Sequence, residues 1–299
     1  MKIAVLMSTY NGEKYLNKQL ESIYNQTVKD NIEVFIRDDG SVDSTFQIIE
    51  SWKDKLSIQL FKEKNAGPAK SFWKLMHNKD IQADYYAFCD QDDEWDRDKI
   101  ESGINFLNSN KEIDLYVSNC RLIDENSNIV KSKMLDYQPP ITFDRLFVSG
   151  FCQGCSMLFT DKLRKDVLKF DIKVLPMHDI VLMLFALAIS GVYWDANPRF
   201  SYRIHSNNVV AKENKNIYKK IKTTYWNWKN GSKNSMSDVA KEIMTNCSLK
   251  EHDKEHLILV SNYRKSLINK FELINKTDYD GVPYGDKRSY IIRILLGLY

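Results

Sequence analysis

Cysteine is scarce and odd in number, five in 299 residues. An odd count in a long chain argues against a disulfide framework and for a reducing compartment, so a cytoplasmic location is expected. Cys152 and Cys155 form a lone C-x-x-C, and without a second pair that is a weak signal for zinc. Neither sign of charge dominates: 43 Lys and Arg against 40 Asp and Glu leave a formal +3, too little to point to a nucleic-acid partner. Long apolar runs are also missing. The longest, Ile180 to Ile189, falls well short of the about 20 residues that span a bilayer, and only five apolar residues separate Lys2 from Ser8. No leader or spanning segment is therefore expected, and contact with a membrane would be peripheral. No Gly-x-Gly-x-x-Gly follows the first apolar run and no Gly-Lys-Ser/Thr occurs, which disfavours a glycine-cradled dinucleotide and a P-loop.

What the chain does have is ample length for a sizeable core, 43% apolar residues and 28% charged ones, the proportions of an ordinary globular protein. Its first half alternates two periodicities. Ile3 to Met7, Ile32 to Ile36, Tyr85 to Cys89 and Leu115 to Val117 are short apolar runs of the kind buried on both faces of a parallel sheet, and Leu56, Ile58 and Leu60 alternate as a further strand. Between them, apolar residues fall at helical spacing: Leu16, Leu20, Ile23 and Tyr24, with Asn11 as the expected cap; Phe46, Ile49 and Trp52; Phe72, Leu75 and Met76; Ile100, Ile104 and Leu107. This order predicts an α/β fold with a doubly wound, mostly parallel sheet. The composition turns Lys-rich and helical near residue 210, predicting a catalytic domain over 1–210 and a helical appendage over 211–299.

Ligands of such sheets bind beyond the carboxyl ends of the strands. Three polar clusters fall there: Ser8-Thr9-Tyr10, Arg37-Asp38-Asp39-Gly40-Ser41 and Asp90-Gln91-Asp92-Asp93. The last packs three carboxylates into four residues. Such groups repel unless a positive charge sits among them, and Mg²⁺ or Mn²⁺ shared with a substrate phosphate supplies one. A solvated acidic turn is the plainer alternative.

Ser8-Thr9-Tyr10-Asn11-Gly12, Asp38-Asp39-Gly40-Ser41 and Asp90-Gln91-Asp92-Asp93, in that order and spacing, resemble the successive motifs of family 2 inverting glycosyltransferases of GT-A fold, over residues 1 to about 210. Met177-His178-Asp179 and Tyr202-Arg203-Ile204-His205 bring the resemblance nearer the bacterial rhamnosyltransferase branch. It implies roles for matching positions. Thr9, Tyr10 and Glu13 would cradle base and ribose, and Asp39 would accept the base N3–H. Asn65 and Gly67 would border the nucleotide. Asp90 would serve the ribose or the metal shell, Asp92 would ligate Mg²⁺ or Mn²⁺, and His205 would approach the metal or the diphosphate, with Arg203 as a fixed cation for the diphosphate. Gln153, Gly154 and His178 would border the acceptor, the cysteines would be spectators, and Asp179 would be the catalytic base.

The activity so implied is metal-dependent, inverting transfer of a sugar. L-rhamnose from dTDP-L-rhamnose is the expected donor, and a hydroxyl of a growing bacterial surface polysaccharide, free or lipid-linked, the expected acceptor. A UDP-hexose donor is the second expectation and a sugar nucleotidyltransferase a weaker third. The basic, aromatic stretch Ile217 to Trp228 and the segment from Lys287 to Leu296 suit three uses: an anionic membrane surface, packing on the catalytic domain, or an oligomer contact.

Overall fold

The structure, a computed structural model, describes residues 1–172, 174–205 and 235–299. The stretch Ile217 to Trp228, the residues after His205 in the Tyr-Arg-x-His segment, and the expected boundary at 210 lie outside the described residues. The elements run β1 (Ile3–Thr9), α1 (Leu16–Tyr24), β2 (Ile32–Asp38), α2 (Thr45–Trp52), β3 (Ser57–Lys62), α3 (Pro68–His77), β4 (Tyr85–Cys89), β5 (Glu94–Trp95) and α4 (Lys99–Ser109). There follow β6 (Leu115–Ile123), β7 (Ile129–Lys131), α5 (Phe143–Val148), β8 (Met157–Thr160), α6 (Asp161–Val167), α7 (His178–Ile189) and β9 (Val192–Arg203). Four more helices close the described chain: α8 (Ser235–Asn246), α9 (Glu251–Asn262), α10 (Leu267–Lys276) and α11 (Tyr284–Leu296).

The strands form one sheet in the order β3-β2-β1-β4-β8-β6-β9-β5, with β7 added beside β6. β3, β2, β1 and β4 are parallel, as the apolar runs of β1, β2 and β4 and the alternation of β3 predict. β8 enters antiparallel between β4 and β6, and β9 returns parallel to β6. Ile3, Val5 and Met7 of β1, Val34 and Ile36 of β2, and Leu16, Leu20 and Ile23 along one face of α1 pack into the same core. Trp95, at 5% exposure, belongs to that core as well. Asn11 does not cap α1. It adopts a positive φ of 48°, and the helix begins after Tyr15.

The chain divides into two compact units, and the division is interleaved. The first holds Met1–Gln138, Cys152–Leu168 and the strand that follows Gly191; the second holds Pro139–Phe151, Lys169–Ser190 and the C-terminal helices. The expected catalytic domain thus yields two segments to the helical unit, and His178 and Asp179 go with them. The reason is visible in α7, whose residues Val181 to Ala186 are all buried: a helix apolar all round needs partners on every side.

Candidate functional site

Within the first unit, the ladder pairs Thr9 with Asp38 and Met7 with Cys89, so the loops after β1, β2 and β4 meet at one sheet edge. Asp38 accepts the Thr9 hydroxyl at 2.9 Å, the Ser41 N–H at 2.9 Å and the Ser41 hydroxyl at 2.5 Å. It shapes the turn through Gly40, whose φ of 85° favours glycine. Asp39 is 3% exposed. One of its oxygens pairs with the buried Arg37, and the other accepts the Ala66 and Gly67 N–H groups at 2.9 and 2.8 Å. Both oxygens are thus engaged by the protein, and the about four lone-pair sites of a carboxylate leave room for one further donor. Asn65 is exposed, and its Oδ1 accepts the Gly67 N–H at 3.2 Å. Gly67 has a φ of 80° and open space where a Cβ would lie.

Thr9 is fully buried, whereas Tyr10 is 50% exposed. Glu13 ties the loop after β1 to the start of α2: its Oε2 accepts the Ser44 N–H at 3.0 Å, and its own N–H donates to Asp43 Oδ2 at 3.1 Å.

The aspartates after β4 part company. Asp92 Oδ2 lies 2.7 Å from His205 Nε2, which brings the end of β9 over the loop after β4. The Tyr15 ring stands beside the imidazole, 5.1 Å between centroids, and on its other contact lies the Arg203 guanidinium, 4.7 Å from the ring. Asp93 is fully buried. Its Oδ1 accepts the Arg203 N–H at 3.1 Å, while its Oδ2 has no nitrogen or oxygen donor among the described residues. Burial, then the charges of Asp92 and Asp90, push its pKa well above the usual carboxylate range. Asp90, Asp93 and the Cys155 thiol bring ligand atoms within 4.8 Å of one another. Cys155 is itself buried. Burial and the neighbouring Asp93 push its thiol pKa well up and keep it protonated.

A divalent cation finds suitable donors here. Asp92 and His205 present a carboxylate oxygen and an imidazole nitrogen side by side, and Asp90, Asp93 and Cys155 gather a further set of ligand atoms; of these donors the carboxylate oxygens are the ones that suit Mg²⁺ or Mn²⁺.

Arg203 departs from expectation. It is 0% exposed, and its donors are spent inward. Nε donates to the Asp92 carbonyl at 2.8 Å, Nη1 to the Asp124 carbonyl at 2.9 Å and to Ser127 Oγ at 3.1 Å, and Nη2 pairs with Glu94 at 2.5 Å. The side chain braces the backbone of the loop after β4, with the guanidinium donors already engaged inside the protein. Gln153 donates from Nε2 to Met134 Sδ at 3.2 Å, and Gly154 is buried in a short 3-10 turn.

Within the second unit, Asp179 sits in the first turn of α7, where Met177 is the N-cap, and its Oδ1 accepts the Ile180 N–H at 2.8 Å. His178 is buried, and burial lowers its pKa, leaving a neutral imidazole. Gln91, Gly12 and Tyr15 are site residues that sequence reasoning missed. Gly12 beside the Thr9-Tyr10 cluster was the one signal available.

Residues 4–168 match the model of glycosyl transferase family 2. The dTDP-rhamnosyl transferase RfbG of Shigella flexneri is 31% identical over 223 residues, covering 69% of this chain and 73% of the relative. Among solved structures, S. aureus TarS 1-349 in complex with UDP-GlcNAc superposes with a TM-score of 0.67 at 19% identity, covering 100% of this chain and 80% of that one. Mannosyltransferase PcManGT from Pyrobaculum calidifontis in complex with GDP-Man and Mn²⁺ gives 0.56 at 16% identity, covering 100% and 81%. At those identities the structural likeness speaks to the fold, which is GT-A. The family match spans more than half the chain and covers the three loops just described, so this protein belongs to the family 2 glycosyltransferases.

Proposed function

We propose that this glycosyltransferase moves L-rhamnose from dTDP-L-rhamnose to a saccharide hydroxyl of a bacterial surface polysaccharide, with inversion and with Mg²⁺ or Mn²⁺ bound. The observation that carries the metal-dependent donor site is the 2.7 Å approach of His205 to Asp92 at the sheet edge where the three loops meet. The relative named a dTDP-rhamnosyl transferase favours the donor. The UDP-GlcNAc and GDP-Man complexes of the structural neighbours keep other nucleotide sugars as the second reading.

Asp92 and His205 would hold the cation, and Asp90 and Asp93 would complete its surroundings. When bound, the cation stabilises the charge that gathers on a departing nucleoside diphosphate. Tyr10 and Glu13 would hold base and ribose at the loop after β1, with Asp39 accepting one further hydrogen bond and Asn65 and Gly67 bordering the nucleotide. Gln153 and Gly154 would line the acceptor side, with His178 near Asp179 in the chain. Asp179 would take the proton of the acceptor hydroxyl as that oxygen attacks the anomeric carbon in line. One displacement then inverts the centre with no covalent enzyme intermediate. The assignment of Asp179 rests on its motif and on its place in the first turn of α7. No helix among the described residues is long and apolar enough to cross a membrane, and contact through the C-terminal segments would be peripheral.

Thermal unfolding with dTDP, UDP, GDP and NAD, each with and without Mn²⁺, tests the donor site. A shift with dTDP that requires Mn²⁺ and exceeds that of UDP is expected. A larger shift with UDP would move the assignment to a UDP-hexose, and no shift with any diphosphate would remove it.

A further inference from the structure

Between the two carboxylates of the Asp-x-Asp pair sits an uncharged residue, Gln91. Its side-chain amide lies against the main chain of Tyr10. Oε1 accepts the Tyr10 N–H at 2.9 Å, and Nε2 donates to the Tyr10 carbonyl at 3.1 Å. Paired donor and acceptor on one residue is how one strand meets another in an antiparallel ladder; here a side chain does it, two residues past the point where the β1–β4 ladder ends at Met7 and Cys89. Glutamine alone among residues of this size offers both groups: a glutamate would set a second acceptor against the Tyr10 carbonyl, and asparagine is one methylene short.

The neighbouring chain makes room for that amide. A Cβ at Gly12 would stand 2.3 Å from Gln91 Oε1 and 2.8 Å from its Cδ, so any side chain there expels the glutamine. The same loop is tied on its other flank, where Asn11 N–H donates to Ser41 Oγ at 2.9 Å and Asn11 Oδ1 accepts the Val42 N–H at 3.0 Å. Tyr10 is thus pinned through its backbone while its ring stays 50% exposed.

We infer that Gln91 is a positioning residue: it locks the loop proposed to hold the base to the loop proposed to hold the cation and diphosphate. The inference rests on that donor-site reading and adds to it a specific coupling. A nucleoside diphosphate touches both loops, so holding them in register before binding removes an ordering cost that neither half alone would feel. Loss of Gln91 then weakens ligands that span the two loops and spares ligands that touch one.

The test uses the full chain with Gln91→Met, which keeps the volume and loses both hydrogen bonds, and Gln91→Glu, which turns one of them repulsive. Affinities are measured for thymidine alone, Mn²⁺ alone, and dTDP with Mn²⁺. For Q91M, dTDP with Mn²⁺ is expected to bind about tenfold more weakly, the worth of one or two net hydrogen bonds, and Q91E more weakly still. Thymidine alone and Mn²⁺ alone should stay within about twofold of wild type, and in turnover the donor KM should rise with kcat nearly constant. In the ligand-free protein, hydrogen exchange at the Tyr10 amide should speed up by about tenfold while the amides of β1 keep their protection. Equal losses for all three ligands together with a general fall in thermal stability would overturn the coupling and leave a folding role only. Fast Tyr10 exchange with unchanged dTDP affinity would overturn it too, and unchanged exchange would remove the contact itself. A wild-type protein that binds no nucleoside diphosphate would overturn the donor site and with it the role of Gln91. The exchange result would then show whether the contact or the site was at fault.

Discussion

Replacing Arg203 with methionine keeps a long apolar stem and removes every side-chain donor. The guanidinium is 0% exposed and Glu94, its ion-pair partner at 2.5 Å, is 32% exposed. The carbonyls of Asp92 and Asp124, at 2.8 and 2.9 Å, lose their donors as well. Truncating one member of a buried ion pair costs about 3–5 kcal/mol, and the partial exposure of Glu94 puts this case near about 3. At about 2–4 °C per kcal/mol for a unit of this size, the midpoint of the first unit should fall by about 6–12 °C. The assay is thermal unfolding of the ligand-free protein, repeated across pH. Burial raises the Glu94 pKa, but hydrogen bonds from Ser127 and Arg203 outweigh it and leave the pKa below the ordinary value. A carboxylate depressed in the folded state stabilises above its unfolded pKa and loses that contribution as pH falls through the folded pKa. The gap between wild type and R203M should therefore be widest near neutrality and narrow below about pH 4. A midpoint within about 2 °C of wild type, combined with lost stabilisation by dTDP, would refute the brace and return Arg203 to the diphosphate.

Asp92→Ala and His205→Ala should each abolish the Mn²⁺-dependent part of the dTDP thermal shift, as should a chelator on the wild type; a shift indifferent to Mn²⁺ would remove the cation from the donor site. Asp179→Asn should bind dTDP with Mn²⁺ as wild type does and lose transfer by at least about 100-fold, the usual contribution of a general base. Activity equal to wild type would take Asp179 out of the mechanism. Lys99 is 2% exposed, and burial lowers its pKa to about 8. The unfolded chain then binds the extra proton between about pH 8 and 10.4, so wild-type stability should rise with pH across that window. Urea unfolding of Lys99→Met should lack the rise, and a rise shared by both proteins would place its origin elsewhere.

In the parallel half of the sheet β1, β2 and β4 were legible as short apolar runs, because burial on both faces demands nothing else, and the edge strand β3 was legible by its alternation of apolar and polar residues. The runs of β1 and β2 extend in the structure to Thr9 and Asp38, carrying each of these strands onto the second residue of its polar cluster. β9 was not legible for the opposite reason. Its twelve residues include Asp195, Asn197, Pro198 and Arg199, which mark a loop when read locally. They are tolerated because Tyr116 and Arg199 satisfy the buried Asp195 at 2.5 and 2.8 Å and because the pairing with β6 shifts register around Asn119. That strand alone delivers His205 to Asp92, so the half of the site it builds was out of reach of periodicity, and only the motif resemblance named His205.

Side-chain allegiance was the other illegible quantity. Three aspartates within four residues announce mutual repulsion, and the local sequence cannot say how it is relieved. The structure relieves it three ways: Asp92 beside an imidazole, Asp93 buried next to a protonated thiol with its pKa raised, and Asp90 left partly exposed. Arg203 and His205 are two residues apart near the end of one strand, and both reach Asp92 and the Tyr15 ring, yet the first takes the Asp92 main-chain carbonyl together with Glu94 and the Asp124 carbonyl, and the second takes the Asp92 carboxylate. Gln91 binds a residue 81 positions earlier. Its only trace in the sequence is a glycine at position 12, which reads as turn chemistry until the amide that occupies the space is seen. A motif fixes which chemistry gathers at the sheet edge. Which member of the motif faces the ligand, and which holds the others in place, is decided by long-range partners that no local pattern records.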